Sequence, residues 1–182
     1  MLTILTDKSG IVSYGFLFAL VHEIGHILAM MLFKVKIEKI KFGFINIDLV
    51  SSGSDKIIKD KINIIILLSG FFANMLFFWF FYICFFYIGE KMYYFWSMQN
   101  LFIGILNLLP IDSLDGGKIL RIILNKYFDF FLVEKILKYT SFIILIPLFL
   151  IGVCVLFYSW CNFSLVILAI YLIIFLFKGV VL

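Results

Sequence analysis

Apolar residues fill five long runs of the chain, and shorter polar segments separate them. The runs lie at Ile11–Phe33, Ile62–Ile88, Tyr93–Pro110, Ser141–Tyr158 and Phe163–Phe177. A helix needs about 20 mostly apolar residues to cross the hydrocarbon part of a bilayer. The pattern therefore predicts an all-α polytopic membrane protein with about five transmembrane helices.

Two of the intervening segments carry patterns of their own. The segment VKIEKIKFGFINIDL, residues 35–49, alternates polar and apolar residues with period two around Gly43. This alternation predicts a small β-hairpin on the membrane surface between the first two spans. The stretch Lys118–Lys138 has apolar residues at helical spacing with Lys and Arg between them. It predicts an amphipathic helix lying at the membrane interface.

Composition and charge agree with a membrane protein and orient it. The chain of 182 residues is 65% hydrophobic and only 14% charged, so its apolar surface exceeds what one soluble core could bury. Of the 15 Lys and Arg residues, 13 lie in residues 34–61, in residues 112–140 or at Lys178. With five spans, these segments share one side, and the positive-inside rule places that side in the cytoplasm. The N-terminus is then expected outside and the C-terminus in the cytoplasm.

The first apolar run contains the motif HEIGH at residues 22–26. A strongly polar group at the centre of a spanning helix costs about 2–3 kcal/mol or more, so this motif needs a compensating interaction. His22 and His26 are four residues apart and share one helix face, where they can bind one ion together. They are the only two histidines of the chain. Glu23 is placed to act as general base toward a water at the metal, which is the chemistry of H-E-x-x-H zinc hydrolases.

A catalytic zinc site usually has three protein ligands, so a third donor is expected. The stretch NLLPIDSLDGGKIL, residues 107–120, offers Asp112 and Asp115 near the cytoplasmic end of the third run. Pro110 ends the helix, and Gly116–Gly117 allows the backbone to turn back. Physical reasoning from these residues leaves the choice between the two aspartates open.

Three stretches together resemble the site-2 protease family of intramembrane zinc metalloproteases. Residues 22–26 match the family's H-E-x-G-H motif, and residues 107–117 match its N-x-x-P-x-x-x-x-D-G-G motif. The stretch SGFFAN, residues 69–74, is similar to a third element, with Phe71 in place of the usual proline. The matches are spread over residues 11–120, about two thirds of the chain.

The resemblance implies a zinc-dependent intramembrane metalloendopeptidase that hydrolyses membrane-anchored protein substrates near the cytoplasmic membrane face. It selects Asp115 over Asp112 as the third zinc ligand. The implied site residues are Glu23 as catalytic base, His22, His26 and Asp115 as zinc ligands, and Asn74 and Asn107 as substrate-binding amides. An interhelical hydrogen bond is the structural alternative for each of the two asparagines.

The resemblance also sets expectations for domains and cell location. The outer loops are short and the chain ends at Leu182, so we expect neither a PDZ nor a CBS domain. The chain then looks closer to the PDZ-free branch that includes the stage IV sporulation protease, and this resemblance implies a bacterial cell membrane. We expect one membrane-embedded protease domain over residues 1–182, with a catalytic core at 11–120 and accessory segments at 118–182.

The expected partners are a membrane-anchored protein substrate and the lipid bilayer, with an inhibitory or regulatory membrane partner as a further option and no nucleic acid. Two other functions use the same motif. A zinc or divalent-metal transporter also carries H-E-x-x-H-like sequences, but it needs further ligands on other spans. A non-proteolytic membrane adaptor could retain the metal site without cleaving anything.

Overall fold

The computed structural model describes residues 11–35, 56–159 and 170, and within these ranges the protein is all-helical. The five helices of the described ranges are α1 (Ile11–Leu32), α2 (Lys56–Ile88), α3 (Lys91–Asn107), α4 (Asp115–Leu124) and α5 (Phe130–Ser159). The all-α prediction is confirmed for this part of the chain. The β-hairpin predicted around Gly43 lies outside the described residues, and so does the predicted fifth span apart from Ile170.

Three of the helices are long and apolar enough to cross a membrane. These candidate spans are Ser13–Leu32, Asp60–Ile88 and Phe130–Cys154, which belong to α1, α2 and α5. The predicted third span coincides with α3, but that helix has only 17 residues. At 1.5 Å per residue it is about 25 Å long, shorter than the roughly 30 Å hydrocarbon core. A count of five spans therefore stays a prediction.

The prediction of one amphipathic helix over Lys118–Lys138 is wrong. Helix α4 ends at Leu124, and the next helix begins at Phe130 and continues to Ser159. The backbone N–H groups of Tyr127 and Phe128 both donate to the carbonyl of Leu124, which closes the turn after α4. The periodic apolar pattern continued through this turn, so it did not reveal the break.

The described residues form two compact units, of which the first contains residues 11–35 and 56–108. In helix α1 of this unit, the distribution of apolar and polar side chains is the reverse of that in a soluble protein. Large apolar side chains such as Leu20, Ile24 and Leu28 are exposed. The buried face instead carries Phe18 and both histidines. This arrangement is typical of helices that face lipid on one side and associate through small or polar residues on the other.

Two residues with positive φ terminate helices in the first unit. Lys34 has a φ of 52° and follows the end of α1, where the N–H groups of Lys34 and Val35 donate to the carbonyls of Met31 and Met30. These two bonds form a Schellman motif, which usually contains glycine at the left-handed position. Gly89, with a φ of 79°, occupies the short link between α2 and α3. Its lack of a Cβ allows this tight turn.

The second unit begins at Leu109, and its described helices are α4 and α5. The buried side chains of α5 recur every four residues, at Val133, Leu137, Ser141 and Leu145. This spacing gives the helix one inward face. Asp115 is the first residue of α4, so its carboxylate lies at the positive end of the helix dipole.

Candidate metal centre

The two histidines of α1 come together as their spacing predicts. The Nε2 atoms of His22 and His26 are 3.1 Å apart, and the two rings are nearly perpendicular, with an interplanar angle of 87°. Both side chains are buried, with 3% and 6% of their surfaces exposed. The pair therefore presents two converging ring nitrogens inside the first unit.

A backbone carbonyl orients the second histidine. The Nδ1 atom of His26 lies 2.7 Å from the carbonyl oxygen of Ile66 on α2. Because a carbonyl only accepts hydrogen bonds, Nδ1 is the donor, and in the neutral ring Nε2 retains its lone pair. Metal-binding histidines are commonly fixed by this arrangement, with one nitrogen donating to an outer partner and the other directed at the ion. His26 is therefore oriented as a ligand.

Ser69 strengthens the junction between α1 and α2. Its hydroxyl donates to the carbonyl oxygens of Ile66 at 2.6 Å and Gly25 at 3.0 Å, one on each helix. The same oxygen is 3.5 Å from Nδ1 of His26. The serine of the SGFFAN element thus links the two backbones beside the histidine pair.

Glycines allow the imidazoles to lie directly against α2. A Cβ atom on Gly70 would lie 2.6 Å from Nε2 of His26 and 2.7 Å from Nε2 of His22. A Cβ atom on Gly25 would meet the carbonyl of Ser69 at 2.7 Å. Real Cβ atoms essentially never approach other atoms so closely. Gly70 therefore keeps open the space in front of the ring nitrogens, and Gly25 allows the backbones of α1 and α2 to approach each other.

The remaining residue of the motif, Glu23, lies on the same helix. Its side chain is partly buried, in contrast to the exposed Ile24 that follows it. Its position one residue after His22 places it at the border of the buried face.

Asp115, the third predicted zinc ligand, belongs to the second unit. Its carboxylate is buried, with 7% of the residue exposed, and Oδ1 is 3.7 Å from Nζ of Lys118. The preceding Leu114 is the N-cap residue of α4, and its side chain makes no capping bond. Asp115 is thus a buried carboxylate in the first helical turn, where negative charge is favoured.

Asp112, the other candidate from the sequence, makes a different set of contacts. Its Oδ1 accepts a hydrogen bond from Nη2 of Arg121 at 2.6 Å, and Nη1 of Arg121 donates to Glu134. Burial alone would lower the pKa of Arg121, but its hydrogen bonds and charge attraction to the two carboxylates raise it above the usual value. The carboxylate of Asp112 is therefore paired with a permanent cation. Sequence reasoning missed this network because Arg121 and Glu134 are 13 residues apart on different helices.

The two predicted substrate-binding asparagines differ in their surroundings. Asn74 on α2 is completely buried, and neither its Oδ1 nor its Nδ2 has a hydrogen-bond partner among the described residues. Asn107 is only partly buried, and its Nδ2 donates to the carbonyl of Ile103 in its own helix at 3.0 Å. The interhelical hydrogen bond considered for each asparagine is thus not observed in the described part of the chain.

The histidine pair fits a zinc ion. Two nitrogen ligands at about 2.0–2.1 Å from a tetrahedral zinc lie about 3.3 Å apart. The observed separation of 3.1 Å is close to this value and needs only a small adjustment. Two neutral imidazoles and one carboxylate are also a donor set found in catalytic zinc sites. The residues therefore satisfy both the spacing and the chemistry that zinc requires.

Comparison with known proteins gives one match. The family model described as Peptidase family M50 matches residues 88–151. The matched segment includes Asn107 and Asp115, whereas the HEIGH motif precedes it. Neither the curated proteins nor the solved structures contain a significant match. The match confirms the predicted resemblance to the site-2 protease family: residues 88–151 are similar to Peptidase family M50, a family of membrane metalloproteases.

Proposed function

We propose that the chain is a zinc-dependent intramembrane endopeptidase that cleaves membrane-anchored proteins near the cytoplasmic face of the membrane. The observation that carries this proposal is the buried histidine pair of α1, with Nε2 atoms 3.1 Å apart and one ring oriented by a backbone carbonyl. Two buried imidazoles in an apolar helix are costly unless they bind something. Metal coordination supplies the compensating free energy.

Asp115 completes the proposed ligand set. Like the two histidines it is buried, and each of the three side chains offers one ligand atom. Its position in the first turn of α4 favours the ionised carboxylate that zinc requires. It also lies within the segment that the Peptidase family M50 model matches. Asp112 is paired with Arg121 instead, so its carboxylate is less suited to the metal.

Glu23 is the proposed general base. When bound, zinc supplies Lewis-acid activation of water and of the scissile carbonyl. Glu23 removes the proton from the attacking water and later delivers a proton to the leaving amine. Its partial burial lowers the local dielectric and strengthens these charge interactions. Because the residue is not needed as a ligand, its role can be separated from metal binding.

Asn74 is the stronger of the two candidates for substrate binding. A buried amide without a partner costs about 1–3 kcal/mol, and a peptide backbone offers both the donor and the acceptor that it lacks. Its complete burial near Gly104 of α3 places these groups away from lipid. Asn107 is proposed for the same role, but its Nδ2 is already bound to Ile103.

The proposed orientation puts the N-terminus outside and the C-terminus in the cytoplasm of a bacterial cell membrane. It rests on the distribution of Lys and Arg along the sequence. Cysteine variants at the exposed positions Tyr127 and Phe131, in a background without native cysteines, should react with a polar reagent applied from the cytoplasmic side. Reaction from the outer side alone would contradict the orientation.

The decisive experiment for the enzyme compares membrane-protein fragments in cells that express either the wild-type chain or Glu23→Gln. An endopeptidase predicts fragments that appear only with the wild-type chain. A transporter instead predicts zinc flux into vesicles that contain the purified chain, and an adaptor predicts identical fragments in both cell lines. Either of these last two results would refute the proposed activity.

A further inference from the structure

Three charged side chains of the second unit form a network that the proposed function does not yet use. Arg121 on α4 donates to Asp112 in the loop before α4 and to Glu134 on α5. All three side chains keep only between 27% and 30% of their surface exposed. The guanidinium thus connects the loop to two helices, and its raised pKa keeps it charged at every physiological pH.

The main chain of the same loop is attached to α5 by a second contact. The backbone N–H of Asp112 donates to Oγ of Ser141 at 2.9 Å, and that hydroxyl donates to the carbonyl of Leu137 at 2.7 Å. Ser141 is completely buried. A buried hydroxyl that accepts one bond and donates another has little freedom to move. The backbone of Asp112 is therefore fixed independently of its carboxylate.

The loop also lies tightly against the first turn of α4. A Cβ atom on Gly117 would overlap the carbonyl of Ile111 and approach Cα of Asp112 at 2.7 Å. The N–H of Leu114 donates to the carbonyl of Ile111 at 2.8 Å, which closes the turn just before Asp115. The segment between Pro110 and Asp115 is thus held by a glycine contact, by a hydroxyl and by a guanidinium.

We propose that Arg121 is a positioning residue for the metal ligand Asp115, because its bridge from Asp112 to Glu134 fixes the loop that carries this carboxylate. The inference rests on the proposed function, in which Asp115 binds zinc. Partly exposed ion pairs contribute little to overall stability, typically about 0–1 kcal/mol. Metal affinity, in contrast, responds strongly to the outer contacts that place a ligand. The network should therefore affect zinc binding more than folding.

The test measures the zinc dissociation constant of the purified full chain by competition with a chelator, together with the unfolding temperature of the metal-free protein. Arg121→Gln should weaken zinc binding about 10-fold, the lower end of the range found for groups that contact a metal ligand directly, because Arg121 acts on Asp115 through Asp112. Its unfolding temperature should stay close to that of the wild-type chain. Lys135→Gln is the matched control, because it removes an exposed positive charge on α5 beside Glu134 and should leave zinc binding unchanged.

A second variant tests the route of the effect. Asp112→Asn removes one carboxylate of the bridge at constant size, so this variant should also weaken zinc binding. The double variant Asp112→Asn, Arg121→Gln should bind zinc about as weakly as Asp112→Asn alone, because the two residues act through one contact. Arg121→Lys should recover only part of the affinity, since an ammonium cannot reproduce the planar fork.

The outcomes separate the inference from the function on which it rests. Asp115→Ala should abolish tight zinc binding. If it does so while Arg121→Gln and Asp112→Asn both bind zinc within twofold of the wild-type chain, the positioning role is refuted and the enzyme proposal stands. An Arg121→Gln protein that loses thermal stability but not zinc affinity would also refute the role. If Asp115→Ala leaves zinc affinity intact, the ligand set itself is wrong.

Discussion

The histidine pair of α1 and the loop that carries Asp115 are held in place by different forces. The imidazoles lie in an apolar junction between α1 and α2, where two glycines and one backbone carbonyl determine their position. The Asp115 loop is held by a guanidinium between two carboxylates and by a buried hydroxyl. The first arrangement depends on shape and the second mainly on charge. Volume changes should therefore disrupt the histidines, and charge changes should disrupt the loop.

The largest expected effect separates catalysis from metal binding within the HEIGH motif. Glu23→Gln should reduce peptide cleavage about 100- to 10,000-fold, the usual contribution of a general base, while one zinc per chain stays bound. His26→Ala should lose both cleavage and zinc, because it removes a ligand. Cleavage assays and metal analysis on the same purified samples measure the two effects. Release of zinc by Glu23→Gln would mean that Glu23 is a ligand.

The next prediction tests whether shape alone positions the histidines. Gly70→Ala introduces a Cβ atom at 2.6 Å from Nε2 of His26, so the rings must move. Overpacking of this kind typically costs about 1–3 kcal/mol, which corresponds to a zinc affinity lower by about 5- to 150-fold. Chelator competition measures the loss.

Gly15→Ala is the matched control for this change. It makes the same substitution in a membrane helix, at a glycine with no atom within 4 Å of the added Cβ. Zinc affinity and unfolding temperature should therefore match those of the wild-type chain. Equal zinc affinity of the Gly70→Ala and Gly15→Ala proteins would show that the close approach of α2 is not required.

A smaller effect is expected at the two asparagines. Asn74→Ala should lower kcat/KM by about 2- to 12-fold, since one hydrogen bond to a peptide group contributes about 0.5–1.5 kcal/mol. Asn107→Ala should lower it less, because Nδ2 of Asn107 is bound to its own helix. Zinc content should be unchanged in both variants. A larger loss of kcat/KM in Asn107→Ala than in Asn74→Ala would show that Asn107, not Asn74, is the more important residue for substrate binding.

The sequence predicted the contact between the two histidines correctly because the geometry of that contact is local. Residues four apart on one helix must share a face, so the spacing of His22 and His26 was sufficient to predict their contact. The apolar runs likewise predicted the ends of α1 and α2 to within one residue, except that α2 begins at Lys56 and the predicted run begins at Ile62. The requirement for glycine at position 70 was not predictable from the sequence, because it depends on which side of α2 faces the imidazoles.

Prediction was weaker where structure depends on contacts between distant residues. The break between α4 and α5 falls within a continuous apolar pattern, and only the turn at Leu124 reveals it. The hydrogen-bond partners of Asp112 are Arg121 and Ser141, which lie 9 and 29 residues away in sequence. Physical reasoning on the sequence therefore could not exclude Asp112 as a ligand, and the choice of Asp115 came from the family resemblance.

The central claim is that the histidine pair and Asp115 bind one catalytic zinc. The most direct measurement is the zinc content of the purified chain at saturating zinc, followed by removal of excess metal. The wild-type chain and Asp112→Asn should each hold one zinc, since Asp112 is not a ligand. Asp115→Ala should hold almost none, because two histidines alone bind zinc weakly. One tightly bound zinc in Asp115→Ala, or loss of all zinc in Asp112→Asn at saturation, would contradict the account.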